Sequence, residues 1–564
     1  MEKIRPLEGP CSVCGKLTEQ SCPNCRELAL APFLFCSQDC FQPAWKEHNN
    51  KVHKPAYAEL NEKIDAFLAA RESGAGESKE QRPWEGAWLQ CPVCEDVLPL
   101  EGTPKERFLC PKEECWAKSV DVWKDASLLE NDVIAQVSLG LCRYEGFCGL
   151  SSQGNRAQHF FKRAAWQGHV DAMYGLAWCY SRGFGTKFWR KAAFSWFAKA
   201  AMQGHPGAQY DLGVCFQLKH GAPEKNWEKA VVLFEMSARQ GFREAQNKLG
   251  YIYAHRAVGE VSYPLACVEQ NMAKAVEWWE KAAAQGHREA QFELGICCFE
   301  GKTAEKNLEK AFELFEKSAK QRNEDAQYYL GLCYEKGLGV EQSAEKALEW
   351  LERAARRGLP EAQYTLGTRY ADGTGVEQSW EDAVEWWDRS AKNRNEDAQL
   401  DLGCCYELGK GVEQSWEKAF EWYEKSAEQG NASAQFSLGR CYDNGEGVEQ
   451  SSEKAFEWYE KSAKQGHANA QCLLGACYAN GDGVEQSWEK AVEWYEKSAK
   501  QGDADAQCNL GLCYEKGEGV EQSWEKAVEW FEKSAKQGDA VAQFNLGVCY
   551  KNGEDVEQSL EKAF

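Results

Sequence analysis

The sequence predicts an all-α protein built as a solenoid, and three observations carry that prediction. A block of about 36 residues recurs from near residue 130 to the end of the 564-residue chain. The word Ala506-Gln507-Cys508-Asn509-Leu510-Gly511 returns around Ala542, Ala470, Ala434, Ala398, Ala362 and Ala326, with looser copies at Ala290, Ala245, Ala208, Ala172 and Ala135. Each block holds two stretches of helical periodicity separated by a glycine-rich turn. A fixed period of this length signals stacked units, each burying its face on the next.

Within a block, the half typified by Asp505 to Tyr514 spaces small and apolar residues as a helix does. Gly517-Glu518-Gly519-Val520 reads as a turn. Trp524, Ala527, Val528, Phe531, Ser534 and Ala535 then mark an amphipathic second helix. Gln537-Gly538 ends it, and Asp539 is placed to cap the next helix. Ala506, Gly511 and Ala527 are expected at helix crossings, with Trp and Tyr filling the gaps between units.

This pattern resembles the Sel-1-like repeat, a relative of the tetratricopeptide repeat, through Ala-Gln-x-x-Leu-Gly-x-x-Tyr, Gly-x-Gly-Val and Glu-Lys-Ala-Val-Glu-Trp-Tyr-Glu-Lys-Ser-Ala. The resemblance covers about three quarters of the chain. It implies a right-handed α/α superhelical solenoid of about 12 repeats over residues 126–564. The twelfth unit stops at Phe564, early in its second helix. A solenoid needs a polar terminal cap, so a chain that continues further is the expectation. The spacing from Ala245 to Ala290 is 45, which places extra residues near 255–268, read as an inert loop around Tyr263-Pro264.

Ahead of the repeats lie two cysteine clusters. In residues 8–55 the pattern is Cys11-x-x-Cys14, Cys22-x-x-Cys25, Cys36-x-x-x-Cys40 and His48-x4-His53. Zinc takes four such ligands in a tetrahedron, so eight ligands make two structural sites with no open position for chemistry. A segment this short holds no sizeable core, and metal must supply its folding energy. Phe35-Cys36-Ser37-Gln38-Asp39-Cys40-Phe41-Gln42 and Ala44-Trp45-Lys46-Glu47-His48 resemble the MYND-type zinc finger, in the variant found at the N-terminus of eukaryotic methionine aminopeptidases. The resemblance implies an interleaved arrangement. Cys11, Cys14, Cys36 and Cys40 would hold one zinc, and Cys22, Cys25, His48 and His53 the other. The final pair departs from the family, with four residues between the histidines in place of three, which turns His53 away from the face of His48. The resemblance also implies docking on proteins, often proline-rich peptides, or on ribosomes. The rest of an aminopeptidase is absent.

Residues 56–83 are expected to hold a helix, marked by Tyr57, Leu60, Ile64 and Leu68, and then a flexible linker through Ser73-Gly74-Ala75-Gly76. In residues 84–125, Cys91-x-x-Cys94 and Cys110-x4-Cys115 form two pairs at zinc-ribbon spacing and predict a further zinc.

The formal net charge is −22, most of it carried by the repeats. That balance argues against a phosphate-backbone partner and predicts no nucleic-acid binding. The longest apolar runs fall short of the roughly 18 residues a membrane span needs, and Met1 to Pro6 lacks an apolar signal core. Twenty-six cysteines in such a chain point to a reducing compartment, cytoplasmic or nuclear, with clusters holding metal and not disulfides.

The repeats offer little chemistry. Ten cysteines from Cys142 to Cys549 share one register and read as buried small hydrophobes. His169, His205, His287 and His467 follow a Gln-Gly and read as turn or capping residues; the tryptophans read as core. Nucleotide, nucleophile-elbow and zinc-protease motifs are absent, and neither catalysis nor a small-molecule substrate is expected. Arg369 stands where other units carry Cys. Three residues after the repeat alanine, side-chain chemistry varies freely: Asp211, Lys248, Glu293, Tyr329, Thr365 and Asp401. This slot is the candidate for reading a partner. The function expected is an adaptor or scaffold, the repeats holding one protein or peptide and the finger a second. The alternatives are a ribosome- or nascent-chain-associated factor and a subunit of a ubiquitin-ligase or degradation complex.

Overall fold

In the computed structural model, the described residues are 9–10, 17–18, 54–72, five positions between 133 and 140, 154–254, 257–258, 261–262, 270–302 and 306–552. The chain divides into two compact units, Met1–Lys306 and Asn307–Phe564.

Both units are stacks of helical hairpins, in agreement with the all-α expectation. In the second unit, hairpins pair Glu324–Lys336 with Ala344–Arg356, Ala432–Asn444 with Ser452–Lys464, and Ala504–Lys516 with Trp524–Lys536. First helices end on a glycine in the left-handed region, as at Gly517 (φ 76°), whose N–H closes on the Cys513 carbonyl. Two residues on, Gly519 lies against the preceding unit, where any Cβ would collide with the Trp488 carbonyl. The Gly-x-Gly word thus encodes a helix stop and a backbone-to-backbone contact. From Ser343 onward, second helices start on a serine, as Ser523 accepts from the Lys526 N–H at 3.3 Å.

Small residues set the closeness of each hairpin, as the spacing implied. Ala506 and Ala527 are fully buried. At Gly439 an added Cβ would lie 2.6 Å from the Tyr459 ring, and Gly511 faces Phe531 in the same way. One core of alanines, cysteines and aromatics runs from Ala419 to Cys549. The tryptophans are only partly core. Trp387 is buried, but Trp458 and Trp494 are half-buried, each with a lysine over its ring at 3.5 and 3.7 Å.

The first unit adds two features. The helix Lys54–Glu72 buries Ile64 and Leu68 and packs on the second helices Arg190–Met202 and Trp227–Arg239. Lys229 Nζ fixes it by an ion pair to Asp65 at 2.6 Å. Part of the lengthened unit, expected as a plain loop, forms a two-residue antiparallel ladder, Ala257–Val258 with Val261–Ser262. A second short ladder pairs Gly9–Pro10 with Leu17–Thr18.

Candidate interaction surface

The variable slot is placed by the first helices, and in none of the six named units is it exposed. Asp211, Lys248, Glu293, Tyr329, Thr365 and Asp401 are all half-buried. In several units the slot residue is engaged with the first helix of the unit before. Trp178 Nε1 donates to Asp211 at 3.0 Å, and the Tyr251 hydroxyl donates to Glu293 at 2.8 Å. The Tyr364 hydroxyl donates to Asp401. Burial pushes the Asp211 carboxyl up to about 7, against the opposing pull of the Tyr174 and Trp178 donors. Tyr329 packs on Phe315 at 5.3 Å, and the Thr365 hydroxyl returns to its own helix at the Glu361 carbonyl. At Asp211, Glu293 and Asp401 the slot is therefore a polar seam between neighbouring first helices.

A second polar feature escaped the sequence reading. The glutamine after the repeat alanine is buried and braces three helices. Gln435 Nε2 donates to the Ala427 carbonyl of the preceding second helix at 3.2 Å. Its Oε1 accepts from Gln465, at the end of its own unit's second helix, at 2.8 Å. The brace recurs in most units between Gln209 and Gln507. Beside it, a buried serine present in most second helices donates to the start of the first, as Ser462 does to the Ala432 carbonyl at 2.7 Å.

The histidines behave as capping residues. His205, His287 and His467 accept from the N–H three residues on through Nδ1, whereas His169 makes no such bond. Among the described residues the repeat cysteines are free thiols, and those of the shared register are buried. Burial raises Cys441 and Cys477 to about 12. Arg369 is buried in that register and pairs with Glu335 of the preceding unit at 2.6 Å.

The twelve expected metal ligands, Cys11, Cys14, Cys22, Cys25, Cys36, Cys40, His48, His53, Cys91, Cys94, Cys110 and Cys115, lie outside the described residues. Their donor chemistry, six thiolates and two imidazoles in the first cluster, fits zinc.

Twelve consecutive segments spanning 133–564 match the family model described as Sel1 repeat. The chain belongs to the Sel1 repeat family. Residues 11–55 match a second model, described as a zf-MYND-like zinc finger, mRNA-binding. Among solved structures, c5321, a protective antigen present in uropathogenic Escherichia coli strains and displaying an SLR fold, is 31% identical. That alignment covers 79% of this chain and 92% of the other, with a TM-score of 0.63. A Sel1 repeat protein from Oxalobacter formigenes is 33% identical, covering 55% and 88% of the two chains, with a TM-score of 0.42. The finger region is 42% identical over 60 residues to methionine aminopeptidase 1b of Plasmodium falciparum. That match spans 10% of this chain and 11% of the enzyme.

The family description of the finger does not fit the expected absence of a nucleic-acid partner. The expectation rested on the charge of the whole chain. Residues 11–55 taken alone hold five Lys/Arg against four Asp/Glu, so the acidity belongs elsewhere.

Proposed function

We propose that this Sel1 repeat protein is a non-catalytic scaffold that holds a protein or peptide on its repeats and a second partner on its zinc finger. The observation that carries the reading is the union, in one chain, of twelve Sel1 repeats with a Cys6His2 finger. Repeat stacks of this kind present extended surfaces assembled from many units, suited to chains more than to small molecules. The polar seam of slot residues supports the same reading, because its chemistry differs from unit to unit over an otherwise repeated framework.

For the finger we favour messenger RNA, or a ribosome carrying it, over a proline-rich peptide. The family description and the aminopeptidase-like sequence of residues 11–55 support this, as does the local charge balance. Two zincs in 11–53 and one in 91–115 complete the proposal, in a reducing cytoplasmic or nuclear setting. A degradation complex is one setting in which such a scaffold would serve. The test is crosslinking of cellular RNA to the full chain. Bound RNA is expected to fall when Cys36 and Cys40 are replaced by Ser and to persist when Asp401 is replaced by Ala. RNA retained by the zinc-ligand variant would overturn the assignment.

A further inference from the structure

Between successive hairpins, the turn from second to first helix reads Gln-Gly in most units, with glycine in the left-handed region, as at Gly430 (φ 108°) and Gly466 (φ 95°). Three consecutive turns of the second unit break this rule with arginine. Arg322 and Arg394 adopt φ of 69° and 65° where the other turns carry glycine. Arg357 replaces the bracing Gln and stands beside Gly358. A left-handed arginine is strained relative to glycine, and strain of this sort points to a role beyond folding. All three arginines are exposed, and none makes an ion pair among the described residues.

The replacement at 357 has a local consequence. In the next five units the bracing glutamine's Oε1 accepts from the residue at this position, for example Gln399 from Gln429 at 2.7 Å. Gln327 has lost that donor. Its Nε2 still reaches the Ala319 carbonyl at 3.2 Å, so the amide orientation is set, but its Oε1 is buried with no partner. Gln327 is 4% exposed.

Gln327 lines an open cleft of about 460 Å³, together with Trp350 and five basic side chains: Lys320, Arg322, Arg353, Arg356 and Arg357. No carboxylate lines the cleft. Lys320, Arg353 and Arg356 are paired with Glu316, Glu349 and Glu352 of their own helices. Arg322 and Arg357 are left for a ligand. In a chain of net charge −22, this is a local inversion of sign.

We propose that this cleft and the adjoining turn at Arg394 bind an extended acidic peptide. Its carboxylates pair with Arg322, Arg357 and Arg394, which are exposed. Equivalent positions in neighbouring units lie roughly 10 Å apart, and an extended peptide rises about 3.3 Å per residue. An acidic residue at every third position therefore meets successive arginines. The proposal rests on the scaffold reading of the repeats and names the partner's chemistry at one place on them.

The test is fluorescence anisotropy with the full chain and a labelled peptide of repeating Glu-Gly-Ser. The controls are the Gln-Gly-Ser peptide and a uridine oligonucleotide of equal length. The variants Arg322→Gly, Arg357→Gln and Arg394→Gly each restore what the other turns carry, so all three are expected to fold with thermal midpoints no lower than the parent. Saturable binding of the Glu peptide alone, weakened about tenfold or more in the triple variant, is expected. Absence of binding, binding indifferent to the three substitutions, or tighter binding of the oligonucleotide would each overturn the proposal. So would self-association of the protein lost in the same variants, which would make a second copy the occupant. If the peptide fails while partner capture still depends on the slot residues, only this site is lost. If both fail, the scaffold reading falls with it.

Discussion

Gln501 Nε2 donates to Gln471 Oε1 across 2.8 Å, and Gln471 Nε2 donates in turn to the Ala463 carbonyl at 3.1 Å. One buried amide thus ties a first helix to the end of its own unit's second helix and to the second helix before it. Gln471→Leu removes both bonds and leaves the Ala463 carbonyl without its side-chain donor. Expected is a loss of about 2 kcal/mol, read as a lower urea midpoint. The converse change, Arg357→Gln, supplies a donor to Gln327 Oε1 and is expected to raise stability by about 1 kcal/mol. Equal midpoints for parent and variants would remove the brace from the account.

Gly439→Ala puts a methyl group 2.6 Å from the Tyr459 ring in a packed hairpin. Overpacking is expected to cost about 1–3 kcal/mol. The double variant with Tyr459→Leu should recover part of it, as measured by thermal unfolding. A neutral Gly439→Ala would mean that the hairpins do not close as tightly as described.

Cys441, Cys477 and Cys513 lie 1%, 8% and 2% exposed, and burial raises their thiols to about 12, 12 and 11. Native protein at pH 8 should alkylate these positions far more slowly than the half-buried Cys298 and Cys404. Mass spectrometry after timed iodoacetamide labelling reads this directly. Rapid native labelling of Cys441 would contradict the buried assignment.

Asp211 carries the pH dependence. Its folded carboxyl titrates near 7, above the ordinary carboxylate value of 3.8, because it is buried between first helices. The folded state therefore holds the proton more tightly. Its contribution to stability is complete below about pH 4 and is lost as pH rises through 7. Asp211→Asn should remove this component and gain on the order of 2 kcal/mol at pH 8, with little change at pH 4. A pH-stability curve identical to the parent's would place the carboxyl in solvent.

Much of this architecture is legible in the sequence, because the repeat multiplies every signal. Ala506, Gly511, Gly517 and Asp539 return at one register, and each does there what its chemistry implies. The slot at Asp211 and Glu293 is legible as variable but not as half-buried, since variability marks both free surface and pairwise seams. The Ala-Gln word reads as repeated, yet nothing in one sequence says that Gln435 faces inward. Docking of the helix Lys54–Glu72 depends on Ile64, Leu68 and Asp65 meeting Lys229, a contact between residues about 165 positions apart that periodicity does not encode. The basic cleft around Arg322 and Arg357 is hidden in a total of −22, because summed charge erases local sign.

The scaffold claim is tested most directly by quantitative affinity purification of the full chain in three forms. These are the parent, Cys36→Ser with Cys40→Ser, and Glu293→Ala with Asp401→Ala, each read for bound protein and bound RNA. Two separable losses are expected, RNA with the zinc-ligand variant and protein partners with the slot variant. Loss of the same set in both variants, or of neither set in either, would contradict a scaffold with two independent binding modules.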